Sequence, residues 1–279
     1  MLFPIFLGII ANDTAATKPL GAIKTAIELA AKLDAQLSVA VGALQISVPS
    51  LLTSGTVESL IATENRSASE QAMAASAQII TLANASGITI HTEILRGDLP
   101  AIRQRFANRA RVHGLVLAEA GKSGGFLGFN IIEPLLFESG RPVLIYPSDY
   151  SSRVSFDHIV IAWDGSQAAA RAVWDAIPVL RLAKSIEIVT VAGEKELNDV
   201  AAANTLAPML AYLGKKISVT VLTYKGGTAG DLIRDHAVQN GANLIVLGAY
   251  GRSRWRELVL GGVTRDMLQQ TSIPIMMSH

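Results

Sequence analysis

Short apolar runs alternate with longer helical patterns along the whole chain, and this alternation constrains the fold more than any other feature. In the second half the runs are His158–Trp163, Ser185–Ala192, Ile217–Thr223, Leu244–Gly248 and Ile273–Met277. They are rich in Ile, Val and Leu and show no strict polar alternation, the pattern of a parallel strand buried on both faces. Between them lie helical patterns at Gln167–Ala183, Glu194–Leu213, Ala229–Asn240 and Val263–Thr271. Strand-first alternation of this kind predicts an α/β fold, a parallel sheet with helices on both faces.

The first half repeats the order, with strands expected at Phe3–Ile10, Gln36–Val41, Ile88–Leu95, Gly114–Ala118 and Pro142–Tyr146. Landmarks correspond. Asp13 follows its strand as Asp164 does, Gly97-Asp98-Leu99 matches Gly227-Thr228-Ala229, and Pro142-Val143-Leu144 matches Pro274-Ile275-Met276. A repeat of half the chain length is a duplicated domain rather than a solenoid. Asp13 to Gly97 spans 84 residues and Asp164 to Gly227 spans 63, so the first copy carries an insertion, assigned to the helical region Val57–Ala85. The polar stretch Pro147–Ser152 reads as a linker. The expected domains are 1–147 and 153–279.

Composition narrows the function. Half of the 279 residues are hydrophobic, enough for a core in each half. The net charge of +1 gives no footprint for nucleic acid or an acidic membrane. Cysteine is absent, which excludes disulfides, thiolate metal sites and catalytic cysteines. Leu2–Ile10 is apolar but has no basic residue before it, and it reads as a strand rather than a signal peptide. No apolar run reaches the roughly 18 residues of a membrane span. The expectation is a soluble cytoplasmic protein.

The chemistry concentrates after the fourth strand of the second half. Gly248-Ala249-Tyr250-Gly251 follows Leu244–Leu247, and Gly261-Gly262-Val263-Thr264 opens the next helical segment. Glycines let backbone N–H groups approach a phosphate, and a helix start offers unpaired N–H groups with a positive partial charge. Thr264 adds a hydroxyl. Arg252, Arg254 and Arg256 lie between the two glycine pairs. Each glycine pair alone is a common turn or helix entry; the combined spacing is what points to an anion at the carboxyl ends of the strands.

This segment, Leu247 to Pro274, resembles the ATP-binding signature of the universal stress protein family. Asp164-Gly165-Ser166 after Ile159–Trp163 is similar to that family's first-strand motif. The resemblance implies two tandem doubly wound, Rossmann-like domains of the adenine nucleotide alpha hydrolase type. Each would have five strands in the order 3-2-1-4-5, with adenine nucleotide between strands 1 and 4. It implies ATP as ligand, with or without Mg. Ala162 would lie at the base of the pocket, Asp164 near the ribose or a phosphate-bound metal, and the Val191 backbone at the adenine. Gly248, Gly251, Gly261, Gly262, Val263 and Thr264 would cradle ribose and phosphates. One departure is Gly262, which stands where ATP-binding members carry Ser or Thr. Asp164 and Ser166 also have plainer readings, as a favourable charge at a helix start and as an N-cap.

In the first half the same loop is degraded. Gly121-Lys122-Ser123-Gly124 keeps its glycines, but Glu133-Pro134 replaces the third. Proline has no N–H to offer, and a carboxylate repels phosphate. This half reads as structural. His91, His113, His158, His236 and His279 show no metal-ligand spacing.

The expected function is therefore nucleotide binding in a stress or regulatory role. A site of backbone donors supplies no general base. Slow hydrolysis, with Asp164 and a metal polarising the phosphates, stays open, as does an ATP-independent interaction module. An adenylyl-transfer enzyme is disfavoured because neither first-strand motif is Ser-Gly-Gly-x-Asp-Ser. The family's fifth strand commonly pairs across a two-fold axis, so Val143–Tyr146 and Ile275–Met277 are expected side by side in an intramolecular pseudo-dimer. A homo-oligomer stays open.

Overall fold

The computed structural model describes residues 4–11, 20–48, 55–120, 126–147, 154–192, 198–223, 228–249 and 272–279. The chain divides into two units: Met1–Ala118 with Glu133–Ser139, and Glu119–Ile132 with Gly140–His279.

In the first unit, β1 (Ile5–Ala11), α1 (Leu20–Leu33), β2 (Leu37–Leu44), α2 (Gly55–Ala85), β3 (Ile90–Gly97), α3 (Leu99–Ala110) and β4 (Leu115–Ala120) follow one another. The strands lie in the order β3-β2-β1-β4, and every ladder is parallel. The N-terminal apolar run is thus a central strand with a neighbour on each side. Ile5, Phe6 and Leu7 are buried, and the Phe6 ring meets Phe106 of α3 edge-on at 6.2 Å.

The insertion falls within a single long helix, α2, of 31 residues. Its buried residues, Ala72, Ser76, Ile79 and Ala83, recur at steps of four, three and four, one helical face. This stripe occupies only the second half of the helix. The first half is exposed and is held by Asn65, whose side chain accepts from the Ile46 N–H (2.7 Å) and donates to the Ile46 carbonyl (3.0 Å).

The helix α4 (Phe126–Glu138) precedes β5 (Val143–Pro147). The second unit continues with β6 (His158–Ala162), α5 (Gln167–Asp175), α6 (Ile177–Leu180), β7 (Ser185–Ala192), α7 (Asn198–Ala211), β8 (Lys216–Thr223), α8 (Ala229–Gln239), β9 (Leu244–Gly248) and β10 (Ile275–Ser278). Strand order is β5-β10-β9-β6-β7-β8. From β8 inward, β8-β7-β6-β9-β10 is the expected 3-2-1-4-5, and all its ladders are parallel. β5 joins antiparallel, with Ile275 opposite Ile145 and Met277 opposite Val143. The two fifth strands expected side by side are paired.

One expected element differs. Gln167–Ala183 is two helices, because Pro178 cannot donate a backbone hydrogen bond inside a helix but is tolerated in a first turn, where it opens α6. The helix expected at Val263–Thr271 lies outside the described residues. Among the described residues, no helix is long and apolar enough to cross a membrane.

Candidate functional site

In the second unit β6 lies between β7 and β9. The chain leaves β6 toward β7 and returns from β8 to β9 on the far side, so the connections diverge at the carboxyl ends of β6 and β9. Open α/β sheets bind ligands at such a crevice.

The first wall is the turn after β6. Asp164 is half-buried, and its Oδ1 accepts the Ser166 N–H at 3.0 Å. Gly165 between them has φ of 71°, in the left-handed region where a Cβ is disfavoured. Ser166 then caps α5, its Oγ accepting the Ala169 N–H at 3.1 Å. Each residue of Asp-Gly-Ser thus has a local role: acceptor, reverse-turn hinge and cap. The Thr190 hydroxyl of β7 donates to the Trp163 carbonyl at 3.0 Å, tying the end of β6 to its neighbour.

The second wall is the end of β9. A Cβ on Gly248 would stand 2.4 Å from the backbone carbon of Ala168 and the backbone nitrogen of Ala169. The first turn of α5 therefore seats directly on this glycine. The sequence reading assigned Gly248 to a ligand; the structure shows a helix backbone filling the space a side chain would take.

Between the walls is a small, open cleft lined by Ala162, Asp164, Ala169, Leu247 and Gly248. Of the expected site residues, Ala162, Asp164 and Gly248 line the cleft together. Val191 does not. It lies on β7, two residues beyond Val189, the register partner of Ala162. Gly251, Gly261, Gly262, Val263 and Thr264 lie outside the described residues. Leu247 and Ala169 were not anticipated. The signal for Ala169 was its place three residues after the capping Ser166, in the first turn of α5.

The first-half counterpart is occupied by structural bonds where it is described. Glu133 meets the Arg103 guanidinium at 3.3 Å, and Pro134 lies within α4. Asp13 and Gly121–Gly124 lie outside the described residues. Asp98 and Thr228, matched in sequence, are both helix N-caps, of α3 and α8.

Comparison with known proteins bears on both halves. Residues 155–279 match the model of the universal stress protein family. A universal stress protein of Synechocystis sp. is 30% identical over 169 residues, which is 58% of this chain and 56% of that protein. The chain thus spans little more than half the length of this relative. Among solved structures, a universal stress protein from Archaeoglobus fulgidus DSM 4304 is similar over 99% of this chain and 96% of its own, with a TM-score of 0.74 and 16% identity. A provisionally named universal stress protein from Pseudomonas aeruginosa UCBPP-PA14 covers 99% of this chain and 93% of its own, with a TM-score of 0.61 and 15% identity. At such identities these two likenesses concern the fold alone. Residues 155–279 thus match the universal stress protein family, and the first half shares the fold of solved universal stress proteins.

Proposed function

We propose that this chain is a nucleotide-gated regulatory protein that holds one ATP in its second half. The observation that carries the reading is the cleft at the diverging connections of β6 and β9, where Ala162, Asp164 and Gly248 meet. Asp164 faces the ribose or a phosphate-bound Mg, and the Val191 backbone meets the adenine. Gly251, Gly261, Gly262, Val263 and Thr264 supply the phosphate cradle. No general base accompanies them, so the role is binding rather than rapid turnover. The protein acts in the cytoplasm, without nucleic acid. Its domains are 1–147 and 153–279, and the antiparallel β5–β10 ladder supports an intramolecular pseudo-dimer.

Calorimetry with ATP, with and without Mg²⁺, tests the reading against a Gly261→Asp variant. Micromolar binding at one site per chain, lost in the variant, is expected. Absence of binding in the unaltered protein would reject it. It would favour an interaction module of the same fold, a reading supported by the missing hydroxyl at Gly262 and by the commitment of Asp164 Oδ1 to Ser166.

A further inference from the structure

In the first unit, the solvent side of α2 changes character along the helix. Its first half exposes Glu58, Glu64, Arg66 and Glu70, the charges expected where a helix meets water. From Gln71 to Thr92 there is no Asp, Glu, Lys or Arg. Burial does not account for this. Ala72, Ser76, Ile79 and Ala83 are buried, but Met73 is 48% and Ile80 38% exposed. Ala74, Ala77, Thr81 and Asn84 are exposed with them. Met73, Ala77, Ile80 and Asn84 recur at steps of four, three and four, so they form a second stripe beside the buried one.

This stripe is its own complement when reversed. Two antiparallel α2 helices with a two-fold axis at Ala77 set Ala77 against Ala77. Met73 of each copy then lies beside Ile80 of the other, so the two large exposed apolar side chains cover one another twice. The small side chain at the axis lets the helices approach to about 8 Å, the short end of the usual range.

The charges fit the same arrangement. Glu70, the last charge of the helix, falls opposite the neutral Asn84 amide of the second copy. The two Glu70 positions stand about 21 Å apart along the helices, well beyond the screening length of salt. A parallel pair would instead set Glu70 against Glu70. A charged partner of another kind would lose water to a face that offers it no counter-charge.

We propose that the second half of α2 is a self-association surface whose occupant is α2 of a second copy of this chain, antiparallel about a two-fold axis at Ala77. The contact is isologous and closes on itself, so it gives a dimer and no open chain. Gln71–Ala85 spans about 22 Å of helix. One helix face of that length buries less than the roughly 1,200 Å² of a stable interface, so the dimer is weak and forms as concentration rises.

The chain has no cysteine, so a single introduced thiol reports its own neighbours. In the full chain Ala77→Cys stands on the axis and is expected to form a disulfide with its copy under mild oxidation. Gln78→Cys, exposed on the other flank of the helix, is the control and should stay reduced. Sedimentation equilibrium up to about 1 mM chain, the range of weak complexes, should show a shift toward twice the chain mass. Ala77→Glu sets two carboxylates face to face and should keep the chain monomeric. Ala77 and Gln78 are exposed, so these substitutions leave the packing on the sheet intact. The proposal is overturned if the unaltered chain stays monomeric throughout, the result expected of a face kept for a different protein. It is also overturned if Gln78→Cys cross-links as fast as Ala77→Cys, or if Ala77→Glu dimerises like the unaltered chain.

Discussion

Two single residues in the second unit hold positions that tolerate almost no substitution. Gly248→Ala puts a Cβ into the α5 backbone, which cannot rotate away as a side chain would. We expect about 3 kcal/mol of destabilisation by urea unfolding, as for overpacking of a core; a variant of unchanged stability would mean that α5 moves freely. Glu187 responds to pH. Burial alone would raise its pKa, but the hydrogen bonds from Thr220 and His236 and the charge of the nearby imidazoles bring it below the ordinary carboxylate value. A carboxylate with a lowered folded pKa contributes stability above its unfolded pKa of about 4.3 and loses it as pH falls through the folded value. Glu187→Gln should therefore cost about 2 kcal/mol near neutral pH, and the gap to the unaltered protein should close on acidification below that range. A gap independent of pH would show that the charge is not what matters. Asp164, Gly165 and Ser166 were legible in sequence because their bonds span two or three residues. Glu187 was not. Its partners lie 33 and 49 residues away on β8 and α8, and only the strand register brings them together.

At the level of elements, α2 is unevenly held. Ala72 to Ala83 pack on the sheet, while Val57 and Leu60 are 42% and 61% exposed, with Asn65 as the tether between. Local stability follows buried contact. Amide exchange should thus be much faster over Gly55–Glu64 than over Ala72–Ala83, and Asn65→Ala should widen the difference; uniform protection along the helix would contradict this. The place of the insertion was legible from unequal repeat spacing. Its helical form was legible too: the helical region Val57–Ala85 read from the sequence lies within α2, Gly55–Ala85. Ser166→Ala should cost about 1 kcal/mol by loss of the α5 N-cap, measured by thermal unfolding. The break between α5 and α6 was missed because the apolar pattern runs on through Pro178.

For the molecule as a whole, the duplicated strand-helix alternation carried most of the information. It gave the parallel sheets; the order of the second unit and the pairing of the fifth strands were what the family resemblance implied. The ligand reading rests instead on glycine spacing, which defines where backbone can approach a phosphate but not what lies opposite. If ATP binds as proposed, nucleotide at a hundred times its Kd should stabilise the fold by about 2.7 kcal/mol. The shift should vanish in Gly261→Asp; an equal shift in both proteins would place the nucleotide elsewhere. The antiparallel join of β5 to β10 also decides how the gene can be divided. A fragment beginning after the linker keeps β10 but loses β5, leaving the backbone edge along Ile275–Met277 bare. Such a fragment should pair with itself through that edge and sediment as a dimer or larger species. A peptide copy of Val143–Pro147, supplied in trans, should return it to a monomer.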